Sequence, residues 1–492
     1  MPPSTTEMLP ADIPHACYDR QQLKPRIVHI GFGAFHRAHQ AIYMHNLLNL
    51  QASDWGICEV GLFGKPTLIQ ALRQQDNQFT VLEKGASGQQ AILVGCVCHS
   101  LHGQLDGLAA VMQQLADPQV AIISLTITEK GYCIEPQSGE LDWSNPQIQQ
   151  DATGNSLPCT APGVLVEALR LRKQQGAGGV SILSCDNIPC NGHIIHKVII
   201  ALAEKRDTQL AQWIEQHVSF PSTMVDRIVP AITETTLNEI TAIRGGSADP
   251  CAIACEPFKQ WVIEDKFVAG RPDWDRVGAQ FVDNVLPYEQ MKLRMLNGSH
   301  SFLAYLGYLS GYQHIDECVN DHAFWQATRQ LMLEEQAPTL HLPGTDLTAY
   351  ANSLLERFAN PALKHRTWQI AMDGSQKIPQ RWLDSLCWHL QQGHLPNYLL
   401  LAIAGWMHYV GGIDEAGQPI EIKDPLLPQI QQIIQQHAPG AERVKALLAF
   451  APIFGDKLVQ NTPLLEKVTA LYIQLQFQGV KKTLATLLAK PA

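Results

Sequence analysis

The spacing of apolar positions changes along the chain, and the change divides it in two. Residues 26–30 form a short, mostly apolar run of the kind a buried strand makes, and the glycine-containing stretch 31–35 follows as a tight turn. From 36 to 50, Ala38, Ile42, Leu47 and Leu48 fall near helical spacing. Strand-like runs recur at 55–62, 78–82, 91–98, 120–127 and 179–184, with a helical stretch at 163–175. Strands alternating with helices predict an α/β fold on a mainly parallel sheet. Residues 218–232 and 252–263 still read as extended. Beyond Pro287 the pattern turns helical, at 289–309, 323–335, 347–358, 380–391, 441–449 and 463–477. These patterns predict a domain over 24–285, with a strand-bearing extension from about 216, and a mainly α-helical domain over 286–492. Residues 1 to about 24 read as an irregular lead-in, and no internal repeat is present.

Composition narrows the class. Of 492 residues, 46% are apolar and 17% charged, the opposite of a disordered chain. Lys and Arg number 36 against 46 Asp and Glu, a net charge of −10 that disfavours nucleic acid or a membrane surface as partner. The longest apolar run, 398–407, falls short of the ~20 residues that span a bilayer. Residues 1–20 carry no basic segment followed by an apolar one, so no signal peptide is expected. The twelve cysteines are scattered without paired CxxC elements, as in a reducing cytoplasm, and no metal site is expected.

Gly31, Gly33 and His36 occupy the three positions of a G-x-G-x-x-G turn, with His in place of the third glycine. Set after a strand and before a helix, such a turn lets a pyrophosphate approach the backbone at a helix N-terminus. The cofactor-binding candidates are therefore Ile30, Gly31, Phe32, Gly33, Ala34, Phe35, His36 and Arg37, in a Rossmann-type domain. Glu59 is the nearest candidate for the acid that holds the adenosine ribose, although it falls inside the second strand. Lys65, in the following loop, suits a 2′-phosphate, so the preference between NAD and NADP stays open.

The segment 288–300 carries the catalytic candidates. On an α-helix Lys292, Asn297 and His300 fall at about 0°, 140° and 80°, with Lys292 and His300 about 12 Å apart along the axis. A substrate of about five or six carbons bridges that span. A lysine buried beside Met291, Leu293 and Met295 has its pKa lowered by desolvation and can exchange a proton with an alcohol. An asparagine amide can donate to the developing alkoxide. Spacing alone is equally satisfied by a snorkelling lysine and a helix end at Asn297-Gly298. The pairs His36/His39 and His193/His196 have helical spacing but no evident third ligand.

Lys292-x4-Asn297-x2-His300 resembles the signature of the mannitol dehydrogenase family, the polyol-specific long-chain dehydrogenases. The turn 31–39 is similar to that family's cofactor loop, with the same His at the third glycine. Segments 124–132, 184–187, 223–227 and 367–377 agree. The resemblance implies a zinc-independent NAD-dependent dehydrogenase with Lys292 as general acid/base. It implies that Asn187 and Asn297 polarise the substrate oxygen and that His300 orients the substrate. Glu289 fits a carboxylate relaying the proton, and Asp226 a polar position lining the site. Within the family the segments are most similar to the branch interconverting D-fructuronate and D-mannonate, with hydride transfer at C5. A neutral pair, mannitol or arabinitol with its ketose, is the alternative, and a non-catalytic dinucleotide-binding protein is a third reading. A sugar acid needs a cation. In the basic stretch 364–381, Lys377 and Arg366 are the substrate-binding candidates, whereas His365 and Arg381 read as surface groups. The sequence fixes neither monomer nor homo-oligomer.

Overall fold

The computed structural model describes residues 10, 13–135 and 138–489; residues 1–9 and 11–12 of the expected lead-in lie outside the described residues. The chain divides into two compact units, Met1–Leu286 and Pro287–Ala492.

Twelve strands are found among the described residues of the first unit: β1 Lys24–Ile30, β2 Trp55–Gly61, β3 Phe79–Gly85, β4 Gly88–Val94, β5 Val97–His102, β6 Ile122–Leu125, β7 Val180–Ser184, β8 Val218–Ser219, β9 Thr223–Asp226, β10 Ile253–Cys255, β11 Gln260–Glu264 and β12 Gln280–Val282. Six of them form a sheet in the order β5-β2-β1-β6-β7-β8, and every pairing in it is parallel. The chain runs outward from β1 to β2 and β5, then returns to the other side of β1 as β6. The strand order therefore reverses between β1 and β6, where open α/β sheets bind ligands.

Both faces of this sheet are covered, which is why its strands are almost continuously apolar. On one face Val28, Ile30, Ile123, Leu125 and Ile182 pack with Val164, Ala168, Ile195 and Val198 of helices Ala161–Gln175 and Asn191–Arg206. The alternate residues Ile27, Ile122 and Leu183 pack on the other face with Ile42 and Leu47 of helix Gln40–Leu50. The run 91–98 is two strands rather than one. β4 pairs antiparallel with β3 in a separate sheet of order β10-β3-β4, while β5 enters the parallel sheet. The extended stretches 218–232 and 252–263 supply β8 to the main sheet, β10 to that three-stranded sheet, and β9 and β11 to a small sheet of order β12-β11-β9.

The second unit is helical. The expected helix 289–309 is continuous from Leu286 to Leu309, but its middle, Lys292–Gly298, is wound as a π-helix. Two further π-helical segments, Leu331–Gln336 and Pro379–Leu383, pack against this one. Carbonyls of the first segment take side-chain donors: Arg381 Nη1 donates to Asn297 O at 3.2 Å, and Trp382 Nε1 to Gly298 O at 3.0 Å. Helix Asn397–Tyr409 is buried on nearly every side, as its composition demands. Its N-cap side chain makes no capping bond. The buried Glu335 carboxylate does so instead, accepting from Tyr398 N at 2.9 Å and Leu399 N at 2.7 Å. Burial raises the Glu335 pKa to about 7, despite these donors. No helix among the described residues is long and apolar enough to cross a membrane.

Candidate functional site

A cavity of about 490 Å³ opens at the C-terminal ends of β1, β2 and β6, where the strand order reverses. Its walls include Gly31, Gly33, Gly61, Lys65, Thr126 and Lys130. Gly31 has φ +109, and a Cβ there would lie 2.1 Å from Thr126 O, so only glycine fits. This close approach is held by Thr126 Oγ1 donating to Gly31 O at 2.8 Å and Thr126 N donating to Ile30 O at 3.0 Å. Gly33 has φ −82 and ψ 173, which any residue adopts, and its nearest neighbour in the Cβ direction is Gly31 O at 3.8 Å. The first glycine is thus required by the fold. The second keeps backbone open to the cavity, where a pyrophosphate would lie. The cavity residues fit a dinucleotide on this ground.

Of the ten cofactor candidates, Ile30, Gly31, Phe32, Gly33 and Lys65 line the cavity, whereas Ala34, Phe35, His36, Arg37 and Glu59 do not. Glu59 is fully buried and faces His36, not a ribose: its Oε1 lies 2.6 Å from His36 Nε2. The two departures from the glycine fingerprint are therefore partners. His29, opposite Glu59 in the β1–β2 register, stacks on His36 with ring centroids 3.4 Å apart and 13° between planes. The His29 ring nitrogens contact Ser124 Oγ at 2.8 Å and Thr126 Oγ1 at 2.9 Å. Burial raises the Glu59 pKa to about 7 and lowers that of His36 to about 3. Ligand-capable atoms of His29, His36 and Glu59 lie within 4.8 Å of one another, a third partner for His36 that spacing did not reveal. The helical pair His36/His39 is instead split, because the chain breaks at His39 (φ −122, ψ −85) and His39 Nε2 bonds Gln260 O at 2.8 Å. Arg37 donates to Gly33 O and Cys251 O, which makes it a brace of the turn.

At the end of β7, the segment 184–187 braces a neighbouring loop. The Asp186 carboxylate accepts from Ile127 N at 2.9 Å, Thr128 N at 3.1 Å and Tyr132 Oη at 2.7 Å, fixing the loop after β6 that walls the cavity. Asn187, next along, is exposed on the unit. Asp226 is buried at the end of β9, opposite Gln260 of β11.

On the helical unit the π-helix changes the expected angles. Its wider turn stacks residues five apart, so Lys292 and Asn297 are brought toward one face rather than the ~140° of an α-helix. Glu289, Lys292, Asn297 and His300 are all buried, each 7–8% exposed. His300 is clamped between rings: Phe358 stacks on it at 4.5 Å and 18°, and His365 meets it edge-on at 5.0 Å and 80°. Burial, with His365, Arg381, Arg357 and Lys377 nearby, holds the His300 pKa well below its usual value, so the ring is neutral. Asn297 Nδ2, His300 Nε2 and His365 Nδ1 are buried with no hydrogen-bond partner among the described residues. Native folds rarely leave such atoms unpaired, and a hydroxylated ligand would satisfy them.

The basic stretch sorts differently from its sequence reading. Lys377 is near His300, with Nζ donating to Ile370 O at 3.1 Å and Met372 O at 2.5 Å. Arg366 is exposed at the N-cap of helix Thr367–Ala371. His365 and Arg381, read as surface groups, are instead packed around His300 and the π-helix. Arg357, buried on the apolar stripe of helix Leu347–Phe358, directly precedes the Phe358 that stacks on His300.

Residues 25–276 match the family model "Mannitol dehydrogenase Rossmann domain", and residues 284–476 match "Mannitol dehydrogenase C-terminal domain". The chain is 53% identical to D-mannonate oxidoreductase of Escherichia coli K12, over 98% of this chain and 100% of that one. It is 54% identical to the uncharacterized oxidoreductase YeiQ of the same organism, over 97% and 98% of the two chains. Among solved structures, mannitol 2-dehydrogenase of Pseudomonas fluorescens in ternary complex with NAD and D-mannitol superposes with a TM-score of 0.88. That protein is 37% identical, and the match covers 99% of this chain and 98% of it.

Proposed function

We propose that this chain, which belongs to the mannitol dehydrogenase family, interconverts D-fructuronate and D-mannonate with NAD(H). Membership makes it an oxidoreductase acting on CH–OH groups. The sugar acid as substrate and Lys292 as proton carrier are the further steps proposed here.

The observation that carries the reading is the pair of buried polar atoms Asn297 Nδ2 and His300 Nε2, without a hydrogen-bond partner among the described residues and on the same helical segment as buried Lys292. A polyhydroxylated substrate supplies the oxygens such atoms need. The cations Arg357, Lys377 and Arg381 near His300 favour a substrate carrying a carboxylate over a neutral polyol. Full-length identity of 53% to D-mannonate oxidoreductase, against 37% to mannitol 2-dehydrogenase, supports the same choice.

When bound, the nicotinamide gives or takes hydride at the substrate's C5. Gly31 and Gly33 would hold the pyrophosphate, and Lys65 borders the same cavity. In reduction Lys292 gives its ammonium proton to the carbonyl oxygen, and in oxidation it takes the proton of the alcohol. Asn297 donates its amide to that oxygen as charge develops on it. His300 holds a neighbouring hydroxyl, and Glu289, one turn earlier, passes a proton from solvent to Lys292 in reduction and from Lys292 to solvent in oxidation. Asn187 is assigned to polarising the substrate oxygen and Asp226 to a polar contact with substrate. The test is NADH consumption with D-fructuronate, D-fructose and D-xylulose side by side, for the wild type and Lys292→Ala. Fructuronate should be preferred, and the variant should lose ~10²–10⁴-fold in kcat. Preference for a neutral ketose would select the polyol reading, and a fully active Lys292→Ala would refute the proton-transfer role.

A further inference from the structure

The glycine turn rests on a fully buried polar cluster, Glu59, His36 and His29. Glu59 immediately precedes Val60 and His29 immediately precedes Ile30, and both of those neighbours line the cavity. The protonation of the cluster follows from its hydrogen bonds, starting at a backbone carbonyl. Gln260 O can only accept, so His39 Nε2, 2.8 Å away, carries a proton. Burial lowers the His39 pKa to about 3, so the ring is neutral and its Nδ1 accepts from Gln40 Nε2 at 3.1 Å. That turns Gln40 Oε1 toward His36 Nδ1 at 3.3 Å, and the ring nitrogen must donate. His36 is itself kept neutral by burial, which leaves its Nε2 a bare acceptor facing Glu59 Oε1 at 2.6 Å. Two acceptors do not approach so closely without a proton between them. The proton belongs to Glu59, because its Oε2 is buried with no hydrogen-bond partner among the described residues. A carboxylic acid tolerates that position far better than a carboxylate.

The cluster ends on the first glycine. Thr126 Oγ1 donates to Gly31 O at 2.8 Å and can accept from His29 Nε2 at 2.9 Å. His29 Nδ1 then accepts from Ser124 Oγ at 2.8 Å. Both His29 nitrogens are thus occupied, and the stacked rings direct their lone pairs along nearly parallel planes 3.4 Å apart. The three side chains are therefore joined by protons rather than converged on an ion. Other groups also face Glu59. Arg37, on helix Ala34–Ala38 with His36, acts on it as a cation while donating to Gly33 O and Cys251 O, and Asp249 acts in turn on Arg37. Cys58 of β2, Cys96 between β4 and β5, and Cys98 of β5 lie close enough to feel its charge, and burial keeps these thiols protonated. Glu59, which burial raises to about 7, is the member of the cluster whose charge changes near neutral pH.

We propose that protonated Glu59 is a positioning residue for NAD(H): by donating to His36 it holds the glycine turn in its binding shape, and cofactor binding requires that proton. This rests on the dinucleotide lying in the cavity at the turn. Loss of the proton sets two acceptors against each other between β2 and helix Ala34–Ala38, and places an anion behind the wall that receives an anionic pyrophosphate. NADH therefore binds the protonated form, and its Kd rises as pH rises through the Glu59 pKa.

The test is a fluorescence titration with NADH between pH 6.5 and 9 on the wild type, Glu59→Gln and Glu59→Ala. Wild-type affinity should fall about tenfold across this range, which corresponds to one pKa unit between free and bound enzyme. Glu59→Gln keeps a donor toward His36 Nε2 without a titrating group, so its profile should be flat and its affinity at pH 9 about tenfold above the wild type's. Glu59→Ala should bind more weakly at every pH. A purely structural role for Glu59 would not improve binding at high pH in Glu59→Gln. A Glu59→Gln profile that follows the wild type, or weaker binding by that variant at pH 9, overturns the proposal. Calorimetry on the wild type alone supplies a second measurement should the variants fail to fold. NADH binding at pH 8 should draw protons from the buffer, seen as a dependence of the heat on the buffer's ionisation enthalpy, and no uptake overturns the proposal. If the wild type binds no NADH at any pH, the dinucleotide cavity is wrong and the proposal falls with it.

Discussion

Gly31 and Gly33 are two residues apart, and the structure assigns them opposite kinds of necessity that substitution by alanine separates. At Gly31 the backbone has φ +109, a region that costs an L-residue ~1–3 kcal/mol. The added Cβ would also meet Thr126 O at 2.1 Å. A backbone carbonyl cannot rotate away, so β1 and the chain after β6 must separate. That weakens the Thr126 N bond to Ile30 O and the Thr126 Oγ1 bond to Gly31 O, each worth a net ~1 kcal/mol. The sum is about 3–5 kcal/mol, or roughly 10 °C in the melting temperature of a domain of this size. Gly33→Ala is the converse. Its φ of −82 and ψ of 173 suit alanine, and nothing but Gly31 O at 3.8 Å lies in the way. Restricting the unfolded chain should even raise stability by ~0.4–1 kcal/mol. The new methyl instead occupies the space where phosphate would meet the backbone. Losing one charge-assisted bond, ~1.5–3 kcal/mol, should weaken NADH binding about ten- to a hundredfold. Calorimetry and a fluorescence titration with NADH measure the two effects. Unchanged NADH affinity in Gly33→Ala would refute the phosphate turn, and an unshifted melting temperature in Gly31→Ala would refute the close approach.

Two further outcomes follow from charged groups. Among the described residues no acid lines the cavity at the glycine turn, whereas Lys65 and Lys130 do, so Lys65→Glu should weaken NADPH more than NADH, by roughly tenfold if the 2′-phosphate lies near it; equal effects in a titration would remove Lys65 from cofactor choice. The buried Glu335 has a folded pKa of about 7 against 4.5 when unfolded, so its stabilising share is fully present below 4.5 and is lost as pH rises through 7. Glu335→Gln, which mimics the protonated acid, should therefore gain on the wild type by on the order of 3 kcal/mol between pH 4.5 and 8, read from melting curves; parallel curves would contradict it.

Much of the fold was legible because it rests on local periodicity. Strands buried on both faces read as short apolar runs, and the helical half reads at helical spacing from 289 onward. The chemistry of the turn was legible in part. Gly31 and Gly33 are local signals, but the partnership of His36 with Glu59 joins a helix to a neighbouring strand, and no spacing rule encodes it. Glu59 therefore passed for a ribose ligand when it is a core residue. The π-helix at 292–298 was invisible for a different reason: one widened turn inside a longer helix barely alters the apolar period, yet it decides which side chains share a face. His365 and Phe358 were illegible as neighbours of His300 because only tertiary packing brings the loop before Thr367 and the end of helix Leu347–Phe358 against that ring.

The same distinction between local and summed properties resolves the overall charge. A chain of net −10 looks ill suited to an anionic cofactor and an anionic sugar. Yet exposed charges are screened beyond about 8 Å at physiological ionic strength, while partly buried ones are screened far less. Lys65 and Lys130 border the cavity at the glycine turn, and Arg357, Arg381 and Lys377 all act on His300 with positive charge. The charged side chains bordering the cavity and those acting most on His300 are therefore basic, whatever the surface total. The acidic surface disfavours polyanions such as nucleic acid, which need a broad basic face, while leaving a small anion free to bind where the nearest charges are basic.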